Sequence, residues 1–290
     1  MPGATGPIVP RRRLAEELKR LRLEDGRSLE DVARALLIST SKLSRLENAQ
    51  GSPQPRDVRD LIREYGVEST MADRMMRWVS AARRQGWWTD YSFTSEGFAA
   101  GLDVHVAYES EATVARTYAI PFFPALLQTD EYVRALYRSL EPWRGDEEID
   151  QLAQLRQRRR ELLDETEGRP PLQITTVCHE TALRQVVGDE GILRRQLETL
   201  LEGLDRPNVE MRVLPFSASP PFTSTCMWTY FEFGDALDRD VVHVETHAGY
   251  LLLETADSLT QYRRYFDELQ RRSLSTRASR DLIRAAVRSR

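Results

Sequence analysis

The chain has 290 residues, of which 41% are hydrophobic, 30% charged and 8% aromatic. This composition excludes collagen-like, disulfide-stapled and wholly disordered chains, and the length suggests about two domains. No apolar run reaches the roughly 18 residues of a membrane span, and the first residues lack the apolar core of a secretory signal. With only two cysteines, we expect reduced thiols, a cytoplasmic location and no membrane partner.

Charge is distributed unevenly along the chain, whose net charge is −4. Residues 1–85 contain 17 basic and 12 acidic side chains, residues 271–290 contain seven Arg and one Asp, and the acidic excess lies between these segments. A basic N-terminal unit on an acidic body can bind a polyanion through one face. Ordinary solvated helix surfaces can have the same composition, so charge alone leaves both interpretations open.

Apolar spacing and capping residues predict four helices in the first quarter of the chain. The first helix spans residues 13–24, where leucines recur every three or four positions. A second helix begins after Ser28, which forms a capping box with an aspartate three residues later. The third helix spans residues 40–47 after its cap Ser39, and the fourth begins at Pro55.

Two short helices joined by a three- to four-residue turn form the layout that places the second helix in a DNA major groove. With Leu43 and Leu46 facing inward, the third helix exposes hydroxyls and two cations. Arg and Lys can hydrogen-bond guanine, and hydroxyls can contact bases or phosphates. A solvated helix surface is the alternative interpretation. The predicted contacts to double-stranded DNA are Ser28, Ser39, Thr40, Ser41, Lys42, Ser44 and Arg45, with Arg11, Arg12 and Arg13 on the phosphate backbone or in a flexible arm.

The segment from Ser41 to Glu47, SKLSRLE, resembles the central motif of Xre/Cro-type helix-turn-helix repressors. That family usually has glycine in the turn where this chain has Leu37. Because leucine tolerates a left-handed backbone poorly, we expect the turn to be built differently here. A single short helix reads few base pairs, so we also expect a homodimer on a two-fold operator.

Beyond residue 70, helical and extended segments alternate. The predicted strands are residues 114–120, 172–178, 209–214, 225–233, 241–247 and 250–253. The predicted helices are residues 71–84, 102–113, 130–140, 146–165, 180–187, 190–204, 258–272 and 277–288. Because the last strands are consecutive, the prediction is an α+β fold with two domains. These are an all-α, lambda-repressor-like helix-turn-helix domain over residues 1–70 and a mixed domain over residues 71–290 with an antiparallel sheet and flanking helices.

Several motifs of the second domain are similar to those of actinobacterial Xre-type regulators. They are Gly86-Trp87-Trp88, Phe122-Phe123-Pro124-Ala125-Leu126-Leu127-Gln128-Thr129, Val213-Leu214-Pro215-Phe216 and Val244-Glu245-Thr246. The resemblance extends to Scr1-like, antitoxin-like members, whose C-terminal domain has no assigned function. It implies a transcriptional regulator whose body responds to a small molecule or a small protein. The alternative is an antitoxin-like chain whose body binds and neutralises a small partner protein.

Aromatic and amide side chains could line a ligand pocket in this body, although apolar clusters are more often core. The candidates are Trp87, Trp88, Tyr118, Phe122, Phe123, Gln128 and Tyr132. The Pro-rich segment 216–225 is either a lid or a surface connection. The charged runs 146–148 and 156–160 are interpreted as helix surface.

The sequence contains none of the motifs of serine hydrolases, zinc proteases, P-loop NTPases or dinucleotide-binding enzymes. We therefore expect no enzymatic activity and no cofactor. His243, Glu245 and His247 alternate along one predicted strand and share a face, which leaves a metal site as a minor alternative. A polar strand face explains the same spacing.

Overall fold

The structure is a computed structural model that describes residues 7–91, 101–166, 169–218, 226–234, 239–247 and 249–290. The chain forms two compact units, residues 1–90 and 91–290. No helix in the described part of the chain is long and apolar enough to cross a bilayer.

The first unit is a bundle of helices around one apolar core. Its five α-helices are α1 Val9–Glu24, α2 Leu29–Ala35, α3 Thr40–Glu47, α4 Pro55–Glu64 and α5 Ser69–Ala82. The core contains leucines and valines from the first four helices, and Leu18, Leu43 and Leu61 have no exposed surface. The four predicted helices are confirmed, although α1 begins four residues earlier than expected because Pro10 occupies its first turn, where no amide donor is needed.

Helix α5 belongs to the first unit and not to the second, where the sequence had placed it. Met75, Trp78 and Val79 lie on one side of this helix and pack into the same core as Leu14 and Leu61. The unit boundary therefore falls near residue 90 and not at residue 70. The physical reason is that α5 covers apolar surface which the first four helices leave open.

The second unit is built on one six-stranded sheet. Its strands are β1 Val114–Ala119, β2 Gln173–His179, β3 Val209–Leu214, β4 Trp228–Glu232, β5 Val241–Thr246 and β6 Gly249–Leu253. The spatial order is β3-β2-β1-β4-β5-β6. The three strands from β4 to β6 are antiparallel to their neighbours, as predicted, whereas β1, β2 and β3 are parallel to each other.

The parallel half of the sheet corrects the expectation of an antiparallel sheet. Long connections rich in helix join β1 to β2 and β2 to β3, and such crossovers return the chain in the same direction. The helices of this unit are α6 Leu102–Glu111, α7 Asp130–Leu140, α8 Asp146–Arg160, α9 Thr181–Arg184, α10 Glu190–Gly203, α11 Ala256–Arg272 and α12 Thr276–Arg288. All six strands and the α+β class are confirmed.

Side chains alternate between the two faces of the sheet. On one face, Tyr118, Trp228 and Val242 pack against Phe266 and Leu269 of α11 in a closed apolar core. The opposite face lies under residues of α6, α7 and α8 and borders a cavity. The sheet therefore separates an apolar core from a polar cavity.

Candidate nucleic-acid interface and internal cavity

The turn between α2 and α3 keeps the left-handed conformation that glycine usually provides. Leu37 has φ +54° and its side chain is 93% exposed. Its amide donates to the carbonyl of Arg34, and the amide of Ile38 donates to the carbonyl of Ala33 at 3.0 Å. These two bonds form a Schellman motif, the same ending that uses glycine in α1 and α4. The expectation of a differently built turn is therefore wrong.

Helix α3 presents one unpaired cation on its exposed face. Arg45 is exposed, and none of the described residues forms an ion pair or hydrogen bond with its guanidinium group. Lys42, by contrast, places Nζ 2.8 Å from the carboxylate of Asp57 in α4. Lys42 would have to leave this carboxylate, or share it, to contact a base. Of the two cations predicted for base contact, Arg45 is the one that is available without rearrangement.

The predicted hydroxyls of α3 fall into two groups. Ser39 is the N-cap, because its Oγ accepts from the amide of Lys42 at 3.2 Å. Ser44 accepts from the side-chain amide of Asn48 at 3.3 Å. Thr40 is half-buried and Ser41 is exposed, both in the first turn. The N-terminal turn of α3 therefore offers hydroxyls and a positive helix end on the same side.

A buried ion pair fixes α3 against α1. Arg22 donates to both carboxylate oxygens of Glu47 at 2.8 Å, and these side chains are 10% and 3% exposed. A further bond joins Arg22 to the carbonyl of Arg27 at 3.1 Å. The hydrogen bonds from Glu47 raise the pKa of Arg22, which keeps the guanidinium charged despite burial. This pair was not predicted from the sequence, although Glu47 is the last residue of the SKLSRLE motif.

Ser28 forms the predicted capping box. Its Oγ accepts from the amide of Asp31 at 3.1 Å and donates to the Asp31 carboxylate at 2.7 Å. These bonds lower the pKa of Asp31. Because Ser28 is exposed at the start of α2, it can still face a phosphate group, as the positive end of the helix favours.

The three consecutive arginines near the N-terminus lie in the first turns of α1 and not in a flexible arm. Arg11 is only 9% exposed and donates from Nε to the carbonyl of Pro7 at 3.3 Å. Arg12 and Arg13 are half-buried. Burial removes Arg11 from the candidate phosphate contacts, because it occupies the same side of α1 as Leu14 and Ala15.

The second unit contains a cavity of about 50 Å³ between the sheet and the helices α6, α7 and α8. Phe122, Phe123 and Gln128 line it, as the sequence had proposed. Gln128 is 2% exposed and donates to the carbonyl of Phe123 at 2.6 Å. Its Oε1 accepts from Arg156 at 3.0 Å, so the amide links the aromatic segment to α8.

The other predicted pocket residues do not line the cavity. Tyr118 belongs to the apolar core on the opposite face of the sheet, and Tyr132 is buried against Phe123 with ring centroids 5.4 Å apart. Trp87 and Trp88 lie in the first unit, where they contact each other edge to face. A Cβ added to the preceding glycine would lie 2.4 Å from the Trp88 ring, so the Gly-Trp-Trp motif serves packing.

Charged side chains that sequence analysis assigned to the surface line the same cavity. Arg159 is 1% exposed and donates to Glu109 of α6 at 2.7 and 2.9 Å. Arg156 lines the cavity and donates to the hydroxyl of Tyr137 at 3.2 Å. The apolar stripe of α8 includes Ile149, and counting three or four residues at a time from there reaches both arginines. That periodicity was the signal for their burial.

Burial and ion pairing act in opposite directions on Glu109. Desolvation raises the pKa of this carboxyl, but the charge of Arg159 and its two hydrogen bonds outweigh burial and hold the pKa at about 2. His105, one turn earlier on α6, is 7% exposed, and its Nε2 lies 3.7 Å from Glu109. Burial lowers the pKa of His105, so its imidazole is neutral near pH 7.

The metal alternative finds no support in the described residues, among which no three His, Cys, Asp or Glu side chains are placed to hold an ion. His243 is buried, Glu245 lines the cavity, and His247 lies beyond the end of β5 with its side chain exposed. The strand ends too early to keep the three side chains on one face. Of the segment proposed as a lid, residues 219–225 lie outside the described residues.

Comparisons with known proteins give two family matches. A helix-turn-helix domain family matches residues 13–75, which include α2 and α3. The family described as a domain of unknown function (DUF5753) matches residues 102–285, which include the whole sheet and the cavity. No curated protein and no solved structure matches at a significant level. The first match supports DNA binding by the N-terminal unit.

Proposed function

The chain belongs to the DUF5753 family and carries a helix-turn-helix domain, and from this we propose that it is a sequence-specific, Xre-type transcriptional regulator. The observation that carries the proposal is the exposed, unpaired Arg45 on a helix that the Arg22–Glu47 pair holds in place. Arginine in that position can bind guanine O6 and N7 through two hydrogen bonds. The expected partner is double-stranded DNA, in the cytoplasm at the nucleoid.

The proposed regulator acts as a homodimer, because one eight-residue helix reads too few bases for a unique operator. Its second unit is the sensor and catalyses no reaction. The polar cavity favours a small molecule over a small protein as the signal, since the charged groups that line it are buried or half-buried. Binding there would shift the population between states that can and cannot bind the operator.

The test is selection of bound duplexes from a random DNA library by the full-length protein, followed by fluorescence anisotropy on the selected site. We expect a two-fold symmetric site whose half-sites are about one helical turn apart. Replacing Arg45 by Ala should weaken specific binding by roughly 10- to 100-fold and relax the preference at one base pair of each half-site. The matched control is Arg74→Ala, which removes another exposed arginine, from α5.

Three results would contradict the proposal. One is the recovery of no preferred duplex by the folded wild-type protein. Another is an Arg45→Ala variant that binds specific and random duplexes as the wild type does. The third is an equal loss of specificity in both arginine variants, because a non-specific charge effect would then explain the data.

A further inference from the structure

The floor of the cavity is unusually polar for the interior of a sheet. The register aligns Thr176 of β2, Thr117 of β1 and Thr229 of β4 in one row, and all three line the cavity. Thr176 is 1% and Thr229 8% exposed. Burying hydroxyls and charges is unfavourable unless they gain partners, and a core of aliphatic residues would avoid that cost. The hydroxyls of Thr117 and Thr229 bond to each other at 3.2 Å, so the row already gives the cavity a polar surface that a polar molecule can contact.

Two opposite charges line the cavity without pairing with each other. Glu245 of β5 forms no side-chain hydrogen bond or ion pair with any described residue. Among the described residues, Arg156 bonds only to the neutral groups of Gln128 and Tyr137, and no carboxylate lies within ion-pair distance of it. The other two charged side chains of the cavity, Arg159 and Glu109, are hydrogen-bonded to each other. One carboxylate and one guanidinium group thus remain for a ligand.

We propose that this cavity binds a small zwitterion, with its ammonium group at Glu245 and its carboxylate at Arg156. A ligand with a single charge would leave one of the two protein charges unpaired in a partly dehydrated site. Further polar contacts come from the threonine row and from the Nδ1 atom of His105, which is buried and has no hydrogen-bond partner among the described residues. The ligand site itself does not depend on the proposed function. Only the role of this ligand as the signal of the regulator rests on it.

The size of the cavity limits the ligand. A volume of about 50 Å³ accommodates about four water molecules, and therefore a ligand of about five or six non-hydrogen atoms. Glycine and alanine have this size. Phe122, Leu126 and Ile174 bound the remaining space with apolar surface, which suits a hydrogen atom or a methyl group and excludes a long side chain. The chemical class is an amino acid with a very short side chain.

Electrostatics of Glu245 agrees with an ammonium ligand. Burial raises the pKa of Glu245, and the positive charges of Arg156 and Arg159 only partly oppose this. An ammonium group beside the carboxylate would lower that pKa again, because a nearby positive charge favours the ionised form. Binding should therefore release protons at a pH near the pKa of Glu245 in the unliganded protein.

The experiment is isothermal titration calorimetry of the full-length protein with glycine and L-alanine. Acetate and methylamine serve as half-ligands, and L-leucine tests the size limit. We expect micromolar to millimolar binding of glycine or alanine, the range open to a ligand with so few atoms. The half-ligands and leucine should bind at least tenfold more weakly.

The variants are Glu245→Gln, Arg156→Lys and Arg156→Gln. The matched control is Arg158→Gln, because Arg158 is exposed on the same helix as Arg156. Glu245→Gln keeps the shape and removes an unpaired charge, so the fold should persist. It should weaken binding of the zwitterion at least tenfold, whereas Arg158→Gln should leave binding unchanged. Arg156→Lys keeps the charge and should bind more weakly than wild type but better than Arg156→Gln.

The inference is overturned if neither glycine nor alanine binds to protein that still binds DNA. It is also overturned if acetate binds as tightly as glycine, which would identify an anion site, or if Glu245→Gln has no effect. DNA binding measured by anisotropy on the same preparations separates the two proposals. If the protein binds the zwitterion but selects no preferred duplex, the ligand site is supported and the proposed function as a regulator is contradicted.

Discussion

Replacing Leu37 by glycine should stabilise the helix-turn-helix unit. Leu37 occupies the left-handed position of the Schellman motif that ends α2, and its side chain is 93% exposed. The equivalent positions of α1 and α4 are Gly26 and Gly66, with φ +72° and +60°. The substitution therefore places glycine after α2, as at the ends of α1 and α4. It removes no buried apolar surface, because the leucine side chain is exposed.

The magnitude follows from two opposing contributions. A left-handed backbone costs a residue with a Cβ about 1–2 kcal/mol. Glycine loses more conformational freedom on folding than leucine, which costs about 0.5–1 kcal/mol. The free energy of unfolding should therefore rise by about 0.5–1 kcal/mol. For a unit of this size, that corresponds to a rise of roughly 2–8 °C in Tm.

The assay is differential scanning calorimetry of the full-length protein. The matched control is Leu23→Gly, because Leu23 is also exposed, at 60%, but lies within helix α1. Glycine in a helix is about 1 kcal/mol less favourable than leucine, so this control should lower the Tm of the same transition. A Leu37→Gly variant that unfolds at or below the wild-type temperature would refute the reasoning from the left-handed turn.

Two further predictions concern the buried ion pairs. Glu47→Gln leaves the buried charge of Arg22 without a counter-ion, so it should lower the free energy of unfolding of the first unit by about 3–5 kcal/mol in urea denaturation. The control is Glu24→Gln, which removes an exposed pair with Arg20 and should change the free energy of unfolding by less than about 1 kcal/mol. Equal effects of the two variants would contradict the role of burial. The pKa of Glu109 lies at about 2 in the folded chain, below its ordinary value of 4.5. The ionised carboxylate therefore contributes about 3 kcal/mol to the free energy of unfolding. This contribution is fully present above pH 4.5 and is lost as the pH falls through about 2. Glu109→Gln should remove this part of the acid dependence from the unfolding transition of the second unit, and an unchanged pH profile would count against the pair.

Most of the secondary structure could be predicted because it follows from local patterns. Leucine spacing, the caps Ser28 and Ser39, and strands rich in β-branched residues all act within a few residues of the chain. The parallel pairing of β1 with β2 could not be read in this way, since it joins strands more than fifty residues apart through helical connections. Local pattern identifies a strand but does not choose its neighbour.

The sites divide in the same manner. The exposed face of α3 was predictable because the inward position of Leu43 fixes the outward position of Arg45. Arg156 and Arg159 were misassigned because a run of arginines in a helix usually faces water, whereas here a carboxylate on another helix stabilises Arg159 in the interior. Such compensation depends on tertiary contacts, which composition does not record.

The topology of the sheet has a consequence for synthesis on the ribosome. Val114 at the start of β1 aligns with Gln173 of β2 and with Glu232 of β4. More than a hundred residues must therefore be translated after the start of β1 before β4 can pair with its second edge. Contacts so distant in sequence form slowly. The helix-turn-helix unit, whose helices α1 to α5 all lie within the first 90 residues, can fold while the remainder is still being made.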